Sequence, residues 1–403
     1  MVTNLLEKVM RRFLWAGCSN TQKIHWVAWD RVTLGKKEGG LGIPRLSDVN
    51  DALLFKWGVR YKMEGDMLWK KVVSSCHKTR ARFGSLPMNV HSGGNWKRIA
   101  KNFDEVMVEG KPLHWCFKAQ IGDGQHTRFW QDCWLFSEPL WRKWPNLYEM
   151  DTKNFCLVAE RVNTSGHRRL LAEQWLKRSL THACFTELTE LLSAVSQLRR
   201  REGADFWVWK GPKSDIFSVK EIRMILCQDS QLSDLYRFRW TSWVPLKCNL
   251  LAWRAEMNRL PVKLELLRRN IQIGNSTCPM CNWQEESVEH LFTGCSVAHE
   301  VWLAIGNWCG VGHILVFSVR DILEAFRKAS DGKKGKKIVR GIFIIASWCL
   351  WIARNEKIFH NKEVVSRFII SNVKRLSFFW LAHRSSFKDL DWNSWRASPV
   401  YML

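Results

Sequence analysis

The sequence predicts an α+β protein that is predominantly helical, and three observations carry that expectation. Apolar residues recur at three- and four-residue spacing in several separate stretches, whereas strict alternation is confined to short ones. Hydrophobic residues make up 46% and charged residues 25% of the 403-residue chain, the balance of a globular protein with room for two to four domains. The most apolar run, Gly341 to Ala353, falls short of the roughly 20 residues that a bilayer core demands. It reads as a buried helix, and no membrane partner is expected.

Taken in order, Leu5, Leu6, Val9, Phe13 and Leu14 share one helical face, with Lys8, Arg11 and Arg12 around the other, so Val2 to Trp15 reads as a basic amphipathic helix. A Trp-rich extended stretch, Ile24 to Trp29, leads to KKEGGLGI at Lys36 to Ile43. Gly39, Gly40 and Gly42 complete no phosphate-binding pattern, so they predict a backbone bend. Ser47 is placed to cap a helix in which Val49, Leu53, Leu54 and Trp57 recur. Residues 77 to 95, with Gly84, Pro87, Gly93 and Gly94, read as a linker.

Beyond it the period switches. Trp115, Phe117, Ala119 and Ile121 alternate with polar neighbours, Gly122-Asp123-Gly124 marks a turn, and Thr127 and Phe129 resume the alternation, which predicts a β-hairpin. His114 and His126 flank it; lone histidines near a turn are more often surface polar groups than ligands, and neither is assigned a role. A helical stretch from about Leu170 ends at Arg199 to Arg201, and a second β segment with a turn at Gly211-Pro212 spans Phe206 to Val219. Leu250, Trp253, Met257 and Leu260 form one helical stripe, and Pro261 either stops that helix or opens the next, where Leu264 and Leu267 are apolar. Ala298, Val301, Trp302, Ile305 and Trp308 predict another amphipathic helix, and Gly341 to about Ala382 reads as helical.

Chemistry concentrates between Cys278 and Cys295, in CPMCNWQEESVEHLFTGC. Cys278 and Cys281 form a Cys-x2-Cys knuckle, and His290 and Cys295 a His-x4-Cys clip. Three thiolates and one neutral imidazole suit Zn²⁺ and fill all four tetrahedral positions, which makes the expected zinc structural and not catalytic. The alternative is a set of buried, reduced cysteines beside a polar histidine. A disulfide framework is disfavoured, because the 13 cysteines are odd in number and irregularly spaced and no signal peptide opens the chain. An intracellular setting, nucleus or cytoplasm and not secreted, is expected.

Lysine plus arginine is 62 against 38 acidic residues, a net charge of +24 that favours polyanionic partners, nucleic acid first. Lys263, Arg268 and Arg269 beside the knuckle are candidate phosphate contacts, as are Lys333, Lys334, Lys336 and Lys337 in the basic run Arg327 to Arg340. That run reads equally as a solvated linker or a nuclear-targeting patch. Most of the 25 tryptophans are expected in the core, although indole rings also stack on unpaired bases.

Several stretches together resemble the C-terminal part of the reverse transcriptase-like proteins of plant non-LTR (LINE-type) retrotransposons, including their reverse-transcriptase zinc-binding domain. They are KVMRRFLWAG, WVAWDRVTLGKKEGGLGI, NDALLFKW, IGDGQHTRFWQDCWLFSEPL, FSVKEI, WVPLKCNLLAWRAEMNRLP, CPMCNWQEESVEHLFTGCSVAHEVW and LWIARNEKIF, in the family's order over nearly the whole chain. The resemblance implies a thumb-like helical region over 1–95, a mixed unit with a β-hairpin over 96–222, the zinc-binding domain over 223–312, and a basic linker with a helical tail over 313–403. It carries the family's zinc ligands to Cys278, Cys281, His290 and Cys295. The family's palm holds a Tyr-x-Asp-Asp core for two-metal nucleotidyl transfer, and no Asp-Asp pair occurs in this chain. The resulting expectation is a non-catalytic, truncated, zinc- and nucleic-acid-binding fragment that contacts RNA or DNA phosphates. The alternatives are a zinc-stabilised protein-interaction module, docking a partner such as a separate reverse transcriptase, or a decayed element without activity.

Overall fold

A computed structural model describes residues 2–17, 23–65, 67–77, 86–89, 93–162, 181–198, 201–228, 236–329, 332–387 and 390–399. The protein is α+β and predominantly helical, and its described strands make two small two-stranded sheets. The chain forms two units. One comprises residues 1–7 and 44–235, the other residues 8–43 and 236–403.

Helix α1, Val2–Ala16, begins in the first unit and continues in the second. Its expected apolar face does not enter a core. Leu5, Leu6, Val9 and Phe13 are exposed, and the buried residue is Glu7, whose Oε1 accepts the backbone N–H of Leu46 at 2.8 Å. Amphipathic periodicity gives the stripe, but not what covers it.

In the first unit, helix α2 (Leu46–Met63) packs against α3 (Asn95–Glu105) and a later helix, Val219–Gln228. The α2 helix starts one residue before Ser47, which therefore sits in the first turn and hydrogen-bonds Asp48 instead of capping. Its buried face is Ala52, Phe55, Gly58 and Val59, while Leu53 and Trp57 are exposed, so the inward stripe is displaced from the expected one. Gly58 is required there, because a Cβ would stand 2.2 Å from the Phe103 ring. That close approach lets Phe55 and Phe103 stack at 4.8 Å.

The sequence-predicted hairpin is not formed. Strand β1 (Met107–Val108) and β2 (Lys111–Pro112) make a small hairpin upstream of it, through Glu109 and Gly110 in left-handed conformations. Strand β3, Phe117–Gln120, pairs antiparallel with β4, Phe206–Trp209, in the register Phe117 with Trp209 and Gln120 with Phe206. Beyond β4, the expected second β segment ends, and a helix begins at Val219. The reason for the altered pairing is Asp205. Its carboxylate accepts the N–H groups of Gly122 (2.7 Å), Gly124 (2.9 Å) and His126 (3.0 Å) and the Thr127 hydroxyl (2.9 Å). The loop after β3 is thus folded around an anion about 80 residues away in sequence.

Trp130, Trp134 and Trp144 fill much of the remaining core of this unit, and the indole N–H of each of these three is satisfied. Trp130 donates to Asp151 at 2.6 Å, Trp134 to the Phe129 carbonyl at 2.8 Å and Trp144 to Glu190 at 2.9 Å. Glu190 lies on the helix His182–Ser196, the described part of the stretch expected from about Leu170; its beginning and Arg199 and Arg200 lie outside the described residues, as does Gly84 of the expected linker.

The second unit is built around a 28-residue helix, α4 (Lys333–His360), with α5 (Ser366–Arg384) packed along it and the helices Leu246–Glu256 and Ser296–Trp308 packed against the pair. Ile338, Ile342, Phe343, Ile345, Ala346 and Leu350 are buried along α4, so Gly341–Ala353 is a core helix. Among the described residues, no helix is long and apolar enough to cross a membrane. Lys333 to Arg340 are its first turns and not a linker. The helix at Leu246 stops at Glu256, because Asn258 takes a left-handed φ of 56°; Met257 and Leu260 of the expected stripe therefore lie beyond its end.

Asp205 supplies a test of the first unit. Burial opposes its ionisation, but the four hydrogen bonds outweigh that and hold its carboxyl below the usual range. A lowered folded value contributes stability above the unfolded pKa of about 4, and that contribution is lost as pH falls through the folded value. Asp205→Ala is expected to cost about 1–3 kcal/mol at pH 7 in urea unfolding and to flatten the loss of stability below about pH 4. Unchanged acid sensitivity in the variant would show that the loop is held by something else.

Candidate metal centre

The four candidate ligands arise from three local structures. Cys278 and Cys281 sit on a knuckle whose turn is closed by Asn282 N–H to Cys278 C=O (2.9 Å), with Asn282 in a left-handed conformation. The knuckle's two arms are joined by a bridge between Thr277 and Glu285 and by Cys278 N–H to Gln284 C=O at 2.7 Å. His290 opens a wide π-type turn, His290–Gly294, which returns the chain so that Cys295 N–H meets His290 C=O at 2.8 Å. Cys295 then precedes the helix Ser296–Trp308, whose stripe Ala298, Val301, Trp302, Ile305 and Trp308 is buried as the sequence predicts.

The result brings the four side chains together. One ligand atom from each of Cys278, Cys281, His290 and Cys295 lies within 4.8 Å of every other, and His290 Nε2 is 3.3 Å from Cys281 Sγ. A tetrahedral zinc with Zn–S bonds of about 2.3 Å sets its sulfurs roughly 3.8 Å apart, so a small contraction closes the cage. Cys278 and Cys295 are fully buried, His290 is nearly so and Cys281 is half-buried.

The donor chemistry also fits. His290 Nδ1 lies 2.9 Å from Gln284 Oε1, an acceptor that fixes the proton on Nδ1 and leaves the Nε2 lone pair facing the sulfurs. Burial pushes the His290 pKa down, which favours the neutral imidazole that a metal needs. Between the thiols, the hydrogen bond from Cys278 to Cys295 raises Cys278, with burial second. The same bond lowers Cys295, helped by the backbone N–H groups of Ala298 and Val297 at the helix start. The thiolate form is thus easier to reach at Cys295, at the N-terminus of a helix, than at Cys278.

The loop is also anchored from outside. Glu286, fully buried, receives Arg354 Nε at 2.6 Å and Nη2 at 2.7 Å, and its Oε2 takes the Lys263 N–H at 2.9 Å. Arg354 lies on α4, 3% exposed, so this bidentate pair joins the loop to the central helix. Trp302 adds a second tie, donating to the Phe292 carbonyl at 2.7 Å and stacking on Phe343 at 5.5 Å. Gln284, Glu286 and Arg354 were not singled out from the sequence. Proximity of Gln284 to the His was visible in it, whereas the partnership of Glu286 and Arg354 spans 68 residues.

The basic residues expected to contact phosphate divide. Lys263 Nζ donates to the Thr277 carbonyl at 2.7 Å and so braces the knuckle. Arg268 and Arg269 both pair with the buried Glu265, and Arg269 also lies over the Trp26 ring at 4.4 Å. Lys333, Lys334 and Lys337 are exposed and Lys336 half-buried, in the opening turns of a helix with no acidic residue in its first turn. Three of the seven therefore have internal partners, and the lysine group faces solvent.

Two tests follow from this geometry. Gln284→Ala is expected to weaken zinc binding by roughly 10–100-fold, as loss of such an orienting partner does, in competition with a chromophoric chelator; unchanged affinity would remove Gln284 from the centre. Arg354→Met strands a buried carboxylate and is expected to cost about 3–5 kcal/mol in urea unfolding, with part of that recovered by adding Glu286→Gln. A double variant no better than the single one would refute that account of the cost.

Comparison with known proteins agrees with the centre. The family model described as zinc-binding in reverse transcriptase matches residues 217–302. A "putative ribonuclease H protein" of Arabidopsis thaliana is 27% identical over 312 residues, covering 75% of this chain and 48% of that protein. An uncharacterized mitochondrial protein of the same plant is 30% identical over 134 residues, 33% of this chain and 82% of that protein. The chain therefore spans about half the length of the first relative and most of the second. No solved structure matches it.

Proposed function

This chain belongs to the reverse-transcriptase-related proteins that carry the zinc-binding domain, and from that premise we propose that it is a nucleic-acid-binding, non-catalytic part of a non-LTR (LINE-type) retrotransposon reverse transcriptase. The observation that carries the reading is the assembled Cys278, Cys281, His290 and Cys295 cluster inside the matched domain. In it these four residues hold one structural zinc, which fixes the loop between the helices, and the metal supplies shape and no open coordination position.

Support for a polyanionic partner comes from the charge of +24 and from Lys333, Lys334, Lys336 and Lys337 gathered at one helix start. Like charges at the positive end of a helix dipole repel it, and an approaching phosphate relieves both. In this reading the thumb-like role belongs to residues 1–95. The name of the first relative raises ribonuclease H chemistry, which needs clustered carboxylates around two divalent ions. Among the described residues, the group of three or more ligating side chains that can hold a metal is the Cys3His cluster, and the sequence lacks the Asp-Asp pair of a polymerase palm. For these reasons we read the chain as binding without catalysis.

The test is one set of measurements on the zinc-loaded protein. Metal analysis is expected to give one zinc per chain, lost in Cys281→Ser together with order in the adjoining helices. Binding of a structured RNA or single-stranded DNA is expected to weaken steeply between low and moderate salt. The same preparation with Mg²⁺ is expected neither to extend a primer nor to cut an RNA–DNA hybrid. Salt-independent binding, or turnover in either assay, would overturn the proposal.

A further inference from the structure

The unit of residues 8–43 and 236–403 holds a second cationic feature, none of whose lining residues belongs to the zinc loop. A cleft of about 580 Å³ is walled by Lys36, Lys37, Arg237, Arg239 and Arg327, with Glu324 its one carboxylate. All five cations are exposed. Glu324 is already committed, since the Tyr236 hydroxyl donates to its Oε1 at 2.6 Å and Arg327 pairs with the other oxygen. Lys36, Lys37, Arg237 and Arg239 thus face the cleft with no acidic partner among the described residues. Four uncompensated cations around one concavity repel one another, and bound anions lower that cost.

The walls are held in place by buried side chains of the same unit. The segment from Tyr236 to Trp240 is gripped at two carbonyls by buried arginines: Arg31 Nη2 donates to Tyr236 C=O at 2.5 Å, and Arg340 Nε and Nη2 donate to Arg239 C=O at 3.2 and 2.9 Å. Phe238 is buried between two exposed arginines, so Arg237 and Arg239 are directed outward together. The opposite wall is the turn at Lys36–Gly40. Trp240 Nε1 donates to the Gly40 carbonyl at 3.1 Å, and Trp253 Nε1 to that of Gly39 at 2.7 Å. Gly39, with φ +87°, seats so closely that a Cβ would stand 3.0 Å from the Phe238 amide nitrogen. The glycine run therefore brings two lysines to the two arginines.

Tyr236 and Trp240, both half-buried, also line the cleft. Cations interleaved with aromatic edges are the chemistry of single-stranded nucleic acid, whose unpaired bases stack while its phosphates pair. A duplex offers no unpaired base, and a bilayer offers a flat surface to a concave site. Resting on the nucleic-acid reading above, we infer that this cleft is a binding site for single-stranded nucleic acid, with phosphates on Lys36, Lys37, Arg237 and Arg239 and a base against Trp240 or Tyr236.

The test uses the full zinc-loaded chain and a fluorescein-labelled thymidine oligodeoxynucleotide of about twenty residues, followed by anisotropy across a salt series. The double variants Lys36→Gln/Lys37→Gln and Arg237→Gln/Arg239→Gln change exposed side chains, and their melting and zinc content verify the fold. Each pair is expected to lower affinity at low salt at least about tenfold and to reduce the log–log salt slope by about 1.4, since each phosphate contact contributes about 0.7 for a single strand. Binding like that of the unaltered protein in both variants, while Lys333, Lys334, Lys336 and Lys337 together changed to Gln abolish it, would overturn the cleft and leave the nucleic-acid function standing. An unaltered protein that binds no nucleic acid would remove that function and the cleft with it. Equal losses on a blunt duplex, or losses seen only on phosphatidylserine vesicles, would also overturn the single-strand assignment.

Discussion

The contact on which the zinc unit most depends is the buried pair between Glu286 and Arg354. Both side chains are removed from water, which costs several kcal/mol per ion unless geometry and additional hydrogen bonds offset it. Here they do: the guanidinium engages both carboxylate oxygens, its Nη1 reaches Asn355 Oδ1 at 2.9 Å, and the carboxylate also takes a backbone N–H from Lys263. The pair acts less as a source of net stability than as a specification of register. It sets which turn of the central helix faces the knuckle, and so where Cys278 and His290 stand relative to Trp302 and Phe343. A metal can close only a loop whose arms are already close, and the pair supplies that closeness from outside the ligand set.

That division of labour explains what could be read from residues alone. The clustering of the four candidate ligands was legible because both clips are local: two- and four-residue gaps constrain geometry wherever the chain lies. The helix after Cys295 was legible because five apolar residues at helical spacing are all buried. The hairpin expected at Trp115–Phe129 failed although its alternation and turn residues were present, because Asp205, remote in sequence, captures the turn amides and β4 takes the pairing edge. Lys263 is a cation by composition whose ammonium also donates to the Thr277 carbonyl, a contact that its place in the basic patch did not show. Periodicity also misled at α1 and α2, where it marks an apolar face but says nothing of its partner.

The charge of the molecule divides into two populations, and only one is exposed. Arg31, Arg340 and Arg354 are buried and donate to carbonyls or a carboxylate, so their positive charge organises backbone. Planar guanidinium suits this use, with several donors in fixed directions and weak hydration. The lysines follow the other pattern: Lys36, Lys37, Lys333, Lys334 and Lys337 remain exposed. A compact, strongly hydrated ammonium on a flexible stem gains little from burial and much from a mobile polyanion.

Composition alone therefore overstates the exposed cationic surface and also hides its location. The net charge counts Arg31 and Lys37 equally, although one fixes the Tyr236 carbonyl and the other stands free on the opposite wall. Read together, the buried arginines position the exposed ones. Arg31 and Arg340 hold the very segment that presents Arg237 and Arg239, which spares a ligand the entropy of ordering that wall. A cationic surface assembled by chance on a basic protein would have no reason to carry such internal supports, and their presence is what separates this cleft from the remaining surface charge.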